Sequence, residues 1–330
     1  MNTPVPDCQH GGGQAALGLR LNQWFEKYMF AIIPAALLVG FVFHRGFMGY
    51  TGWVPFLFAY MTFVMALGCS SGQMRQALLA PRPMLVTFAL THMVAPLLAF
   101  VGGSLVFGPD SHVVIGLVLF TAIPLGVSSI IWIGMAKGNV PLALCMVVLD
   151  SALSVFVVPA LIWLFFGHTL TFDYLKVMAD LLFIVVIPTI CGVLVNDWSR
   201  GRAKSWSAPV TLPLSKFVFT LIILINAAAI APQVAAHKQE MLLMVPVVVL
   251  LVFLCYAIGF AGSRLFRDPR LTITLSYSSG MRNVSLGIVI AIGYFEPLAA
   301  VPVVLGILIQ QPTATLFYVV LRRYKAAVPQ

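Results

Sequence analysis

The sequence predicts an all-α polytopic membrane protein of ten transmembrane helices, arranged as two inverted five-helix repeats with discontinuous helices at positions four and nine. Three observations carry this. The 330 residues are 61% hydrophobic and 9% charged, with mean hydropathy +1.01, whereas soluble domains carry roughly 25% charged residues. Basic residues alternate between loops with one strong bias. Polar breaks recur in the same order in both halves of the chain.

A spanning helix needs about 20 apolar residues, and the chain divides into ten such stretches with short connections. The first five lie near 28–43, 53–69, 84–107, 111–137 and 140–166, and the second five near 174–195, 210–231, 240–265, 270–294 and 298–321. The longest connection, Asn196 to Ala208, carries Arg200, Arg202 and Lys204. Before the first span, residues 1–25 are polar and Gly-rich (Gly11-Gly12-Gly13) with no apolar core, which reads as a disordered tail rather than a signal peptide. The domain plan is thus a tail at 1–25, a first repeat at 26–168, a second at 169–325 and a short tail at 326–330.

The formal net charge of +9 does not indicate nucleic acid, because topology accounts for it. With the N-terminus cytoplasmic, fifteen basic residues fall inside: Arg20, Lys27, Arg75, Arg82, Lys137, Arg200, Arg202, Lys204, Lys216, Arg264, Arg267, Arg270, Arg322, Arg323 and Lys325. Only Arg45, Lys176 and Lys238 fall outside. This is the positive-inside pattern, and it places both termini in the cytoplasm. The five cysteines are scattered, with no CxxC or Cys/His cluster, so neither a disulfide framework nor a metal site is indicated. No cofactor is expected, and nucleophile–base, HExxH and nucleotide motifs are lacking, which sets an intramembrane enzyme aside.

The two halves resemble each other. Phe100-Val101-Gly102-Gly103-Ser104-Leu105 matches Phe260-Ala261-Gly262-Ser263-Arg264-Leu265; Gly126-Val127-Ser128-Ser129 matches Gly280-Met281-Arg282-Asn283; Val140-Pro141-Leu142 matches Val301-Pro302-Val303. The offsets are 160, 154 and 161 residues. Nine residues beyond Pro141 and Pro302 stand Asp150 and Gln311. Because five is odd, the second copy must enter from the opposite side, the inverted-repeat plan of many secondary transporters, whose sites lie between broken helices near the midplane.

Chemistry concentrates at the breaks. Span 4 reads Ile123-Pro124-Leu125-Gly126-Val127-Ser128-Ser129, and span 9 reads Tyr277-Ser278-Ser279-Gly280-Met281-Arg282-Asn283. Proline removes a backbone donor and glycine eases unwinding, so Pro124, Gly126 and Gly280 are the expected helix breaks. An arginine at bilayer depth costs at least a few kcal/mol, which a polar cavity at the crossing of the two breaks would relieve. Taken singly, a Pro kink with small packing residues would explain span 4; the matching interruption in span 9 favours a crossover.

These residues resemble the bile acid:sodium symporter family. The resemblance runs through Met65-Ala66-Leu67-Gly68, Arg75-Gln76-Ala77-Leu78, Arg82-Pro83, Pro124-x-Gly126, Met135-Ala136-Lys137-Gly138-Asn139, Pro159 and Gly280-Met281-Arg282-Asn283. It implies ten helices sorted into a panel and a core domain, with substrate beside the crossing of spans 4 and 9, in the inner (plasma) membrane of a bacterium. The family's sodium-coupled members resemble Glu-x-Gly-x-Gln-Asn where this chain has Ser278-x-Gly280-x-Arg282-Asn283. Their Ser-Asn in span 4 falls on Ser129-Ile130, and their hydroxyl ligands in span 5 fall on Ala143 and Val147. The ligands that the resemblance implies for sodium are therefore missing together.

In their place stand Asp150, on the helical face of Ala143 and Val147, and Arg282. Arg282 is expected to serve as a built-in cation paired with Asp150, to attract an anionic substrate, and to leave Asp150 free to take a proton when the pair separates. The plainer alternative is a structural pair locking the core. Ser128, Ser129, Ser278, Ser279, Asn283, Gln310, Gln311 and Asn226 complete the candidate substrate lining. His92 either lines the cavity or bonds a neighbouring helix, the second being the plainer reading; Asp180 is expected at the outer interface near Lys176.

The expected function is secondary transport of a small or amphipathic organic anion by alternating access, without the family's sodium sites and with possible proton coupling. Two alternatives are an arsenite or metalloid oxyanion efflux carrier, for which Cys145 in span 5 is the nearest thiol, and a membrane protein that binds a ligand without moving it. Oligomeric state is not legible in the sequence.

Overall fold

The computed structural model describes residues 14–79, 81–167, 173–236 and 238–327. Thirteen helices account for most of them: α1 (Gln14–Val42), α2 (His44–Ala66), α3 (Ser71–Leu79), α4 (Arg82–Phe107), α5 (His112–Ala122), α6 (Ser128–Met135), α7 (Val140–Phe166), α8 (Tyr174–Trp198), α9 (Arg202–Ala236), α10 (Lys238–Ser263), α11 (Pro269–Gly280), α12 (Val284–Tyr294) and α13 (Pro297–Ala327). Among the described residues there is no strand, only an isolated antiparallel bridge between Leu125 and Arg282.

Seven helices are long and apolar enough to cross a membrane, or eight when the two limbs of α1, bent by 74°, count as one span. This falls short of ten on the length criterion because the expected spans 4 and 9 are each cut in two. Their pieces, α5 with α6 and α11 with α12, are too short singly. Two other expectations are corrected. The tail placed at 1–25 is helical from Gln14 onward, while residues 1–13 lie outside the described residues. Gly18 explains the docking of that first limb, since a Cβ there would sit 1.9 Å from the Pro209 carbonyl oxygen of α9; Lys216 of α9 also donates to Asn22. The loop placed at Asn196–Ala208 shrinks to a turn at Ser199–Gly201, closed by Arg200 (φ 52°) and Gly201 (φ 80°).

Packing sorts the helices into two groups, each drawn from both halves of the chain. In one, α1 lies along α9, α9 on α2 and α2 on α8. In the other, α4 packs on α5, α5 and α12 on α13, α10 on α11 and α13, and α6 on α11 and α7. The groups meet where α9 touches α13 and α8 touches α7. Exposed Leu97, Leu105, Phe183 and Leu194 form part of an apolar exterior suited to lipid, with Trp53, Trp198 and Trp206 also exposed, as aromatic anchors at membrane interfaces are.

Two helices carry π segments with one cause. In α4 the segment is Leu90–Val94 and in α8 it is Leu182–Val186, and two residues past each end stands a proline without a backbone N–H, Pro96 or Pro188. In α4 the Ala95 N–H bonds the Leu90 carbonyl, five residues back. Thr91 then loses its ordinary partner, and Pro96 has no N–H to replace it. The Thr91 carbonyl is left open to another donor.

Candidate functional site

The two broken rods cross at their breaks and exchange backbone hydrogen bonds there. Gly126 N–H donates to the Met281 carbonyl at 2.8 Å, and Asn283 N–H donates to the Pro124 carbonyl at 2.8 Å. Gly126 is required by this approach, because a Cβ would lie 2.7 Å from the Arg282 carbonyl oxygen. At Gly280 a Cβ would lie 2.2 Å from the Tyr256 ring. Pro124 and Gly126 lie between α5 and α6, and Gly280 is the last residue of α11.

The break amides find partners from side chains of other helices, as buried backbone requires. Leu125 N–H donates to Asp150 Oδ2 at 2.7 Å, and Arg282 N–H donates to Gln310 Oε1 at 3.2 Å. Met281 N–H returns to the Tyr277 carbonyl at 3.0 Å. Gln310 and Asp150 therefore hold the unwound segments open.

Arg282 is buried to 1% exposure. Its Nη2 donates to the open Thr91 carbonyl at 3.2 Å, while Nε and Nη1 have no hydrogen-bond partner. The Cys255 thiol of α10 lies beside the guanidinium, yet without a properly directed hydrogen bond. The expected Asp150–Arg282 pair is not what the structure shows. Asp150 Oδ1 instead meets His92 Nε2 at 2.6 Å. The π segment explains the difference: it brings Thr91 and His92, adjacent in sequence, to Arg282 and Asp150 respectively. His92 bonds a neighbouring helix, as the plainer reading had it.

The remaining expected residues divide by exposure. Ser129, Ser278 and Ser279 are fully buried with unpartnered hydroxyls, and Ser279 packs against the Gly259 backbone of α10. They do not face an open cavity in this conformation. Ser128, Asn283 and Gln311 keep partial exposure; Gln311 Oε1 accepts from Trp132 Nε1 at 3.1 Å, and Trp132 stacks on Tyr277 with centroids 6.0 Å apart. Asn226 is buried within α9, its Nδ2 unpartnered, on the other helix group. Asp180 accepts from Tyr294 of α12. Among the described residues no His/Cys/Asp/Glu group could hold a metal ion. Cys145 packs with Cys69, Ala66 and Val193.

Sequence reasoning missed Thr91, Cys255, Tyr256 and Trp132. Only Pro96, five residues past Thr91, carried a readable signal, as a proline inside a helical run.

Residues 54–237 match the Sodium Bile acid symporter family. The chain belongs to that family. It is also 33% identical over 295 residues to the protein YbaS of Bacillus subtilis (strain 168), covering 89% of this chain and 96% of that one. A probable chloroplastic sodium/metabolite cotransporter, BASS1 of Arabidopsis thaliana, is 30% identical over 72% of this chain and 59% of its own. The sodium-dependent transporter YocS of Bacillus subtilis (strain 168) is 26% identical over 80% of this chain and 81% of its own. With a symporter family and a set of apolar helices, the protein is an integral membrane transporter and not an enzyme.

Proposed function

We propose that this family member carries a small or amphipathic organic anion by alternating access, with Arg282 as its fixed positive charge. The observation that carries the reading is Arg282 itself: a buried guanidinium with two unpartnered donor groups, at a crossing where two half-helices, α6 and α12, begin. Helix N-termini add partial positive charge, and a guanidinium suits carboxylate in a two-pronged grip. Counting α5 with α6, and α11 with α12, as one interrupted span each, and both limbs of α1 as another, gives ten spans. The group of α1, α2, α8 and α9 is then the panel, and the rest the core, in two inverted repeats bounded near 26–168 and 169–325. The basic-residue bias puts both termini in the cytoplasm of a bacterial plasma membrane.

Sodium coupling through the family's usual positions is not part of this reading, because Ile130, Ala143 and Val147 offer alkyl groups and Arg282 offers a cation where oxygen ligands would be needed. The burial of Ser278, Ser279 and Arg282 makes this conformation an occluded one, from which the core must move against the panel to reach solvent. The metalloid reading gains one observation, the Cys255 thiol beside Arg282, so arsenite belongs among the probes.

Counterflow in proteoliposomes tests the proposal. Vesicles preloaded with unlabelled acetate, succinate, taurocholate or arsenite should accumulate the matching label, and Arg282→Gln should lose at least about tenfold of that exchange. Binding without exchange would instead make the protein a receptor.

A further inference from the structure

His92 holds an unused position in this site, and the rest of the geometry gives it a role. We propose that His92 Nδ1, with the ring held by Asp150, is the coupling proton's site, and that the protein moves one proton together with a monoanionic substrate; this rests on the carrier reading above.

The tautomer follows from the network. Asp150 Oδ2 accepts the Leu125 N–H at 2.7 Å, and its carboxylate oxygens are acceptors. His92 Nε2 then carries the hydrogen donated to Oδ1 at 2.6 Å. Nδ1 is left with a lone pair, buried and without a partner, on a residue 9% exposed. Histidine is the side chain whose charge changes near neutral pH. Asp150 from α7 is the charged group that touches it; Arg282, from the α11–α12 break, bonds the adjacent Thr91 carbonyl; α10, packed on the π segment, carries Cys255 beside Arg282 and Tyr256 against Tyr277 of α11; and α5, also packed there, has His112 only at its far end.

Charge counting then fixes the direction of coupling. Arg282 and Asp150 cancel while His92 is neutral. A bound monoanion alone leaves the buried site at one negative charge; a proton alone leaves it at one positive charge. Both together restore neutrality, and net charge buried in a membrane is expensive. Anion and proton therefore favour each other's binding, and each raises the other's affinity by the same factor. No covalent or redox step is involved: a proton from solvent joins the Nδ1 lone pair and leaves it on the far side. Asp150 is the positioning residue, tied through Leu125 to the break itself, so protonation acts on the segment that must move.

The test has two arms on detergent-solubilised full-length protein. In the first, nitrogen-15 histidine NMR follows the ring of His92, identified by its absence in His92→Gln, or by its selective shift in Asp150→Asn if that variant does not fold. A resonance that moves between pH 5 and 9 supports the site; one fixed across that range overturns it. In the second, acetate, succinate and taurocholate are added to weakly buffered protein with a pH indicator. Uptake of a proton on binding, and affinity falling by at least about 5-fold from pH 6 to pH 8, support the coupling. Binding indifferent to pH overturns it. Should none of the three bind or exchange, the anion reading fails, while the resonance still decides the proton site.

Discussion

At the scale of the residue, the balance rests on Asp150 and Arg282 holding different partners. Asp150 satisfies two donors, so Asp150→Ala should leave the Leu125 N–H buried and unpaired, a loss of about 1–3 kcal/mol. Asp150→Asn keeps an oxygen for that amide and should unfold several degrees above Asp150→Ala in a detergent thermal melt; equal melting points would count against the role given to Leu125. Arg282→Lys retains charge but not the fork that reaches Thr91 while leaving two groups free, so counterflow should recover only a small fraction of wild type. Both residues were legible in the sequence, because a charge in an apolar segment stands out against its surroundings. Their partners were not. His92 and Asp150 are 58 residues apart, and nothing local links them; the π segment that aims His92 depends on Pro96 in a helix that otherwise reads as uniformly apolar.

At the scale of the element, the breaks and the π segment do separate work. Gly126→Ala and Gly280→Ala push a Cβ against the Arg282 backbone and the Tyr256 ring, at 2.7 and 2.2 Å. Each should destabilise by about 1–3 kcal/mol, as overpacking does, whereas Gly102→Ala, with nothing within 4 Å, should be neutral or slightly stabilising; melts of the three variants check this. Pro96→Ala would let α4 return to regular register and let a helix amide take the Thr91 carbonyl. The expected outcome is a split, with stability unchanged or higher and exchange lost as Arg282 is released. The positions of both breaks could be read from Pro124, Gly126 and Gly280, since backbone-specific residues announce themselves locally. The extra helix at the start of α1 could not, because its stability comes from docking on α9 through Gly18 and not from an apolar run.

At the scale of the whole molecule, the transporter is two helix groups assembled from both halves of the chain, meeting through α9 with α13 and α8 with α7. Which helices pack together is a tertiary outcome that no single segment encodes. The proposed ten-span topology makes its own prediction: reporter domains fused at either terminus should both be cytoplasmic, and a periplasmic signal from one alone would overturn that proposal. The central claim is that a buried arginine replaces the coupling sodium. Its most direct measurement is uptake of labelled acetate, succinate and taurocholate into proteoliposomes, with sodium present or replaced by choline, under an imposed pH gradient. The claim predicts uptake of at least one of them, indifferent to sodium, driven by the inward proton gradient and abolished by Arg282→Gln. Uptake that requires sodium, or that survives in Arg282→Gln, would contradict it.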